Sequence, residues 1–329
     1  MIISTKKNHT KIKFVDFWPG FNPEDFFIFK ILSNKYELEI SDKPDFVFCS
    51  VFGHDHLKYN DCVKIFWTGE NQSPDFNFYD YAIGFDYIDF GERYIRVPLY
   101  MAYTNIWNII SRRKPIENLK DKTDFCSFIV SNRDCAPERI AIFNKLSLYR
   151  KVSSGGRYLN NIGGPVDNKI EFQRKHKFAI AFENTSYPGY VTEKILEAFA
   201  SQTIPIYWGD PTITEVFNEA AFINCNAFKS LDDVVNYVID IDNDDNKFIK
   251  MVNANIFKDE SYVSTHFENL QAFLYRIFDS SPDDAKKFSR QFWCRRYSDQ
   301  AILRDKIYRR SLKNIIHRIN LFVKKICRK

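Results

Sequence analysis

Apolar and polar positions follow two periods along the chain. Short runs that are apolar throughout or at every second residue read as strands: Ile12-Lys-Phe-Val-Asp16, Tyr36-Glu-Leu-Glu-Ile40, Asp45-Phe-Val-Phe-Cys49, Val63-Lys-Ile-Phe-Trp67, Tyr81-Ala-Ile-Gly-Phe85 and Arg93-Tyr-Ile-Arg-Val97. The first ends in a turn, Phe17-Trp18-Pro19-Gly20. Pro23-Glu-Asp25 then starts a helix whose apolar face is Phe26, Phe27, Phe29 and Ile31-Leu32. Strand and connection alternate as in a parallel or mixed α/β domain, but with fewer and shorter helices than a doubly wound sheet needs. Residues 112–124 are polar and broken by Pro, and mark a domain boundary. Beyond it, strand Phe125-Cys-Ser-Phe-Ile-Val130 leads through Ser131-Asn132 to a helix containing Arg139.

The second half centres on residues 178–208. Phe178-Ala-Ile-Ala-Phe182 is of strand type, and Glu183 to Tyr190 is a loop punctuated by Pro and Gly. Val191 to Ala200 places Ile195, Leu196 and Phe199 at helical spacing, and Thr203-Ile-Pro-Ile-Tyr-Trp208 is a second strand. This is one βαβ unit. Its loop and the free N–H groups of its helix form a place for a phosphate, and Lys194 adds positive charge, so the segment reads as the seat of a nucleotide diphosphate. The alternative is an ordinary crossover with a solvent-facing Glu-Lys pair. Around this unit lie the loops Ser153-Ser-Gly-Gly-Arg157 and Asn160-Asn-Ile-Gly-Gly-Pro165. After it come Pro211-Thr-Ile-Thr-Glu215, a strand near Ala221-Phe-Ile-Asn224 and a helix with Ser230 as N-cap.

At the end of the chain, Tyr308, Leu312, Ile315, Ile319, Phe322 and Ile326 are spaced by alternating fours and threes, with Ile316 and Val323 on the same side. Arg309, Arg310, Lys313, His317, Lys324, Lys325 and Arg328 occupy the rest of the circumference. Such a helix lies on an anionic membrane surface, apolar side down. The rival readings are a helix packed on its own body and a nucleic-acid arm; the latter gives no reason for a clean apolar stripe.

Composition and the remaining motifs sharpen this picture. At 329 residues, two domains plus a tail are expected. The net charge of +5 is concentrated in the tail, since ten Lys/Arg and one Asp follow residue 303, leaving 37 basic and 41 acidic groups before it. Aromatic residues make up 17%, including 32 Phe, which suits packed cores and also flat surfaces for sugars. Seven cysteines, at 49, 62, 126, 135, 225, 294 and 327, include no Cys-x-x-Cys pair, which argues against a disulfide framework or zinc site and fits a reducing cytoplasm. Met1-Ile-Ile-Ser gives way to Lys6-Lys7-Asn8-His9, so no signal peptide or anchor is expected at that end, and the sequons at Asn8 and Asn184 carry no weight. Asp240-Ile-Asp242 and Asp242-Asn-Asp244 match the Asp-x-Asp of metal-dependent sugar transferases, but lie in a polar run after a helix. A calcium loop starting at Asp240 would need Gly at 245 and Glu at 251, where Asp and Met stand; no metal is expected.

Three stretches together resemble the bacterial α1,3-fucosyltransferases of glycosyltransferase family ten. The most specific is Phe178 to Gly209, with Phe182-Glu-Asn184, Tyr190-Val-Thr-Glu-Lys194 and Ile204-Pro-Ile-Tyr-Trp-Gly209. Phe66-Trp-Thr-Gly-Glu-Asn71, Ser73-Pro-Asp-Phe76 and Tyr81-Ala-Ile-Gly-Phe-Asp86 resemble the family's N-terminal site loop. Ser131-Asn132 through Ala136-Pro-Glu-Arg139 is similar to its third element, one residue longer here. The resemblance implies an α/β fold of GT-B type, two Rossmann-like domains facing a cleft, and transfer of L-fucose from GDP-β-L-fucose with inversion. It divides the chain into an acceptor-binding domain (1–116), a GDP-fucose-binding domain (117–295) and a basic amphipathic tail (296–329). The family's heptad repeats ahead of the tail are missing.

By position, Glu70 matches the general base, and Arg139, Tyr190, Glu193 and Lys194 match donor-binding residues. Asn184 and Val166, Asp167, Asn168 and Lys169 match further donor contacts, and Val191, Thr192, Ser131 and Asn132 complete the set. The residues themselves agree in chemistry. Glu70 stands just past an apolar strand, behind Gly69, where a carboxylate can take a proton; read alone the residue is better taken as a solvated strand-end group, and it is the resemblance that makes it the base. Arg139, Lys194 and the helix amides near Tyr190 to Glu193 can neutralise a departing diphosphate without a metal. Glu193 suits hydrogen bonding to donor hydroxyls. The expected partners are GDP-fucose, an N-acetyllactosamine-type glycan acceptor and, through the tail, an anionic membrane at the inner face of the bacterial envelope, with no nucleic acid. No cofactor is required, and a divalent metal is at most stimulatory. The alternatives are a GT-B enzyme using another nucleotide sugar, or a non-enzymatic membrane-peripheral glycan-binding module.

Overall fold

The computed structural model describes residues 8–131, 136–288 and 291–326. They form two compact units: the chain up to Gly84 with Phe90–Ile95 and everything from Gln271, and Phe85–Asp89 with Arg96–Leu270. Contacts thus divide the chain differently from the sequence boundaries at 116 and 295, which treat each domain as one continuous stretch. The polar segment 112–124 belongs wholly to the second unit, where it satisfies backbone groups. Arg113 donates to the carbonyl of Val252 (3.1 Å), Asn253 and Ile116 exchange two hydrogen bonds of 2.8 Å, and the Lys122 ammonium donates to the Arg174 and Ser201 carbonyls. Cations at the open carbonyls of helix ends are polar in sequence yet structural in place.

In the first unit β1 (Asn8–Val15), β2 (Tyr36–Ile40), β3 (Phe46–Cys49), β4 (Val63–Trp67), β5 (Tyr81–Gly84) and β6 (Tyr94–Arg96) form a sheet in the order β2-β1-β3-β4-β5-β6. The pairings from β2 through to β5 are parallel. β3 and β4 are buried on both faces, as parallel strands usually are. The helix expected from Pro23 is split. Pro23–Asp25 is a 3₁₀ turn capped by Asn22, Phe26 is extended (φ −77°, ψ 135°), and α1 is Phe27–Ser33. Phe26 leaves the helical path to bury its ring against Phe14, Phe21 and Trp67. Cover that local helices do not supply comes from the end of the chain, where Phe278 stacks on Phe46 (4.1 Å between centroids) and Phe273 meets Tyr81 edge-on.

The second unit holds α2 (Thr104–Ile110), β7 (Asp124–Phe128), α3 (Pro137–Tyr149), β8 (Val152–Ser154), α4 (Lys169–Arg174), β9 (His176–Phe182), α5 (Glu193–Ala200), β10 (Ile204–Trp208), β11 (Ile223–Asn224), α6 (Leu231–Asp242) and α7 (Asp245–Val252). Its sheet is parallel in the order β11-β10-β9-β7-β8. The expected βαβ unit is β9-α5-β10: Phe178 pairs with Ile204 through to Phe182 with Trp208, and Ile195, Leu196 and Phe199 are buried. Ser230 caps α6 by accepting from the Asp233 amide. The Asp-x-Asp matches are structural: Asp242 takes Tyr149 (3.0 Å), Arg150 (2.8 Å) and Lys177 (3.1 Å), and Asp244 caps α7.

α8 (Tyr262–Phe278), α9 (Pro282–Ala285) and α10 (Phe292–Ile326) complete the fold. α10 begins well before the apolar stripe, and its first turns pack on the first unit. Tyr297 donates to Asp75 (2.9 Å) and lies against Phe78, and Tyr297, Ala301, Arg304 and Tyr308 line a cavity of about 480 Å³ with His56 and Phe78. Tyr308, Leu312 and Ile315 are exposed; the later side chains of the stripe, from Ile316 on, lie outside the described residues. Among the described residues no helix is long and apolar enough to cross a membrane.

Candidate active site

β9 ends at Phe182, and the next residue, Glu183, has no exposure. Its carboxylate accepts from the Thr192 amide (2.8 Å), the Thr192 hydroxyl (2.7 Å) and the Lys194 ammonium (2.9 Å). The positive end of α5 therefore already meets an internal anion. The Tyr190 and Val191 amides are also occupied, by the carbonyls of Tyr187 and Gly189 at 3.1 Å. Of the amides expected to face a phosphate, those of Tyr190, Val191 and Thr192 are therefore already bonded, because the Pro/Gly loop folds back on itself and Glu183 takes the Thr192 amide. Further positive charge comes from side chains.

Those side chains converge. Arg139 on α3, Lys169 on α4, and Glu193, Lys194 and Glu197 on α5 line one pocket with Phe128, Gln173 and Phe182. It opens where the sheet order reverses, since β7 and β9 are neighbours while β8 continues to one side and β10 to the other. Helices leaving adjacent strands in opposite directions open a crevice at the strands' carboxyl ends, the usual ligand position in such sheets. Arg139 is almost fully buried, and its guanidinium is fixed by the Phe182 carbonyl (Nε to O, 3.0 Å). Lys169 donates to Glu197 at 3.0 Å.

The charges set one another. Burial pushes the Glu193 carboxyl up, but the ammonium groups of Lys194 and Lys169 outweigh it and hold it below the ordinary glutamate value. Burial works against the Lys194 charge, yet Glu183 and Glu193 raise its pKa. Glu197 goes the other way: burial, only partly opposed by Lys169, lifts it to about 7. The pocket thus sets a carboxylate kept ionised, Glu193, beside one that holds its proton to higher pH, Glu197.

Among the described residues, the other expected donor residues are not part of this pocket's lining. Tyr190 and Val191 are buried, the Tyr190 ring 5.4 Å from that of Phe85 in a cluster with Leu99; with Thr192 they hold the loop. Asn184 and Ser131 are exposed, and Asn132 lies outside the described residues. Val166 is half-buried, its amide bonded to the Gly155 carbonyl; Asp167 is exposed; Asn168 caps α4 through the Glu171 amide. Sequence reasoning missed the roles of Glu183, Glu197 and Tyr103. Glu197 follows Glu193 by four residues, on the same helix face, which is a legible signal. Tyr103, whose hydroxyl is held protonated by burial and by hydrogen bonding to Glu193, has none.

Glu70 belongs to the first unit. It follows β4 at the carboxyl edge of that sheet, in a turn fixed by the buried Thr68, whose hydroxyl accepts from the Glu70 amide (3.0 Å) while the Glu70 carbonyl accepts from Gln72 (2.8 Å). The carboxylate itself is exposed.

Both halves of the chain are similar to known proteins. The α-(1,3)-fucosyltransferase FucT N-terminal domain matches residues 12–103, and glycosyltransferase family 10 (fucosyltransferase) C-term matches residues 119–297. The α-(1,3)-fucosyltransferase FucT of Helicobacter pylori is 33% identical over 318 residues, covering 82% of this chain and 66% of that protein. The chain thus spans just under two thirds of that relative's length. A crystal structure of an α1,3-fucosyltransferase superposes with a TM-score of 0.76 at 31% identity, covering 88% of this chain and 94% of the other. One with GDP-fucose gives 0.68 at 29% identity, covering 82% and 93%. With a family match over more than half of its length and the same two-sheet fold as these enzymes, the chain belongs to glycosyltransferase family 10 and has a GT-B-type fold.

Proposed function

We propose that the protein is an inverting α1,3-fucosyltransferase that moves L-fucose from GDP-β-L-fucose to O3 of GlcNAc in a Galβ1,4GlcNAc-type acceptor, giving a Lewis X type product on a lipopolysaccharide O-antigen glycan. The observation that carries this is the convergence of Arg139, Lys169, Lys194 and Glu193 at the switch point of the second sheet, in a chain of this family. The bond from fucose C1 to the diphosphate oxygen breaks as the acceptor oxygen bonds to C1 from the opposite face. Glu70 takes the acceptor's proton, and GDP leaves with the bonding pair. Arg139 and Lys194 balance the charge that gathers on the diphosphate, and both are held in place beforehand by the Phe182 carbonyl and Glu183. Glu193, kept ionised, accepts from donor hydroxyls.

Side-chain cations do the neutralising, so no cofactor is required and a divalent metal is at most stimulatory. The tail docks on an anionic membrane at the cytoplasmic face; exposed Tyr308, Leu312 and Ile315 beside Arg309 and Arg310 support this. Nucleic acid is not a partner. Incubation with radiolabelled GDP-fucose and N-acetyllactosamine, followed by linkage analysis, tests the proposal. Label on O3 of GlcNAc is expected. Transfer from a different nucleotide sugar would instead establish another GT-B transferase, and glycan binding without transfer a binding module.

A further inference from the structure

In the first unit β1, β3 and β4 are adjacent, so the loops after Val15, Cys49 and Trp67 leave the same end of the sheet. The first carries Trp18, the second Phe52 and the third Glu70. Phe17 stacks on Trp67 (6.0 Å), and Trp18 meets Phe21 edge-on (4.9 Å) and lies 6.3 Å from Trp67. Trp67 is buried, but Trp18 is 40% and Phe52 48% exposed. Their two rings stand at 85° with centroids 6.5 Å apart, a right-angled notch of aromatic surface open to solvent. The contacts lead on to the candidate base, because the Trp67 ring lies 3.6 Å from where a side chain on Gly69 would begin, and Glu70 follows.

The notch is held rigidly. Asp16 adopts a left-handed conformation (φ 62°) that a non-glycine residue enters at a cost. Its carboxylate accepts from the Asp55 amide (2.7 Å), the His56 amide (2.9 Å) and the His56 ring (2.7 Å), and its carbonyl accepts from the Phe52 amide (2.8 Å). Asp16 thereby ties the loop of Trp18 to the loop of Phe52. Gly53 is required for this closure, since a Cβ there would lie 2.4 Å from the Asp16 carboxylate. Strain retained to present two half-exposed aromatic rings points to a ligand with a flat apolar face and polar edges.

We propose that Trp18 and Phe52 form a stacking platform for the galactose-type pyranose of the acceptor, the ring next to the one that reacts at Glu70. Such a pyranose, with its axial hydroxyl on one face, turns a patch of C–H groups to the other, which lies on one aromatic ring while its edge meets the second. The inference rests on the fucosyltransfer reading above. It is tested with Trp18→Leu and Phe52→Leu in the full chain, which keep apolar bulk but remove the aromatic face. The KM for N-acetyllactosamine should rise about five- to tenfold in each, with the KM for GDP-fucose and the melting temperature unchanged, and Trp18→Phe should recover most of the loss. An unchanged acceptor KM, or acceptor and donor KM rising together, would overturn the platform. If the wild type transfers nothing from GDP-fucose, the functional reading fails separately. The platform is then read by saturation-transfer NMR on N-acetyllactosamine alone: galactose signals lost in Trp18→Leu sustain it, and signals retained refute it.

Discussion

Thr192 and Lys194 direct an amide, a hydroxyl and an ammonium at one fully enclosed side chain, Glu183, and that geometry predicts how the donor pocket responds to change. Replacing a carboxylate by an amide leaves one acceptor oxygen and turns an NH₂ group towards donors. Glu183→Gln should therefore cost about 2 kcal/mol in urea unfolding and weaken GDP binding, because Lys194 loses the anion that positions it. Unchanged stability and affinity would show that Lys194 is held otherwise. Glu197 gives a pH signature. Its folded pKa, about 7, lies above the ordinary 4.5, so between those values the folded protein holds a proton that the unfolded chain releases. Stability falls as pH rises through that window, and Glu197→Gln removes this fall. Urea midpoints at pH 5 and pH 8 should converge in the variant relative to the wild type, and parallel behaviour would contradict the assignment. Of these residues Lys194, as a cation in the first helical turn, and Thr192 were assigned from the sequence, and Glu197 carried a signal in its spacing from Glu193. A charge that faces inward has the same letter as one that faces water, so Glu183 stood within a recognised stretch without a role.

Among elements, β9-α5-β10 was the most legible because every level agrees there: an apolar strand, a Pro/Gly loop, helical spacing of Ile195, Leu196 and Phe199, and a second apolar strand. Local propensity makes the segment after Pro23 one helix, whereas Phe26 joins an aromatic cluster built from residues distant in sequence. The end of β10 bears on the site directly. A Cβ on Gly209 would lie 2.6 Å from the Glu183 side chain, so Gly209→Ala should push Glu183 off the end of α5 and raise the KM for GDP-fucose more than that for the acceptor. Equal KM values in variant and wild type would mean the strand end shifts freely.

For the whole molecule, two α/β sheets and a separate tail could be read from the alternation of elements and from the charge surplus. The return of the chain from Gln271 to the first unit could not, because a helix carries no local mark of the sheet it will cover. The start of α10 likewise follows the body of the first unit rather than forming a free tail, so a truncation meant to test membrane docking has to spare Tyr297, Arg304 and Tyr308. A chain ending at Arg310 should keep its melting temperature and transfer activity but no longer sediment with anionic vesicles; undiminished sedimentation would remove the membrane reading. The central claim, that fucose passes from GDP to a hydroxyl deprotonated by Glu70, is tested most directly by pairing GDP-fucose titration with single-turnover transfer to N-acetyllactosamine in wild type and Glu70→Gln. Binding within about twofold of wild type with transfer lost is the predicted result, and transfer at the wild-type rate in Glu70→Gln would contradict it.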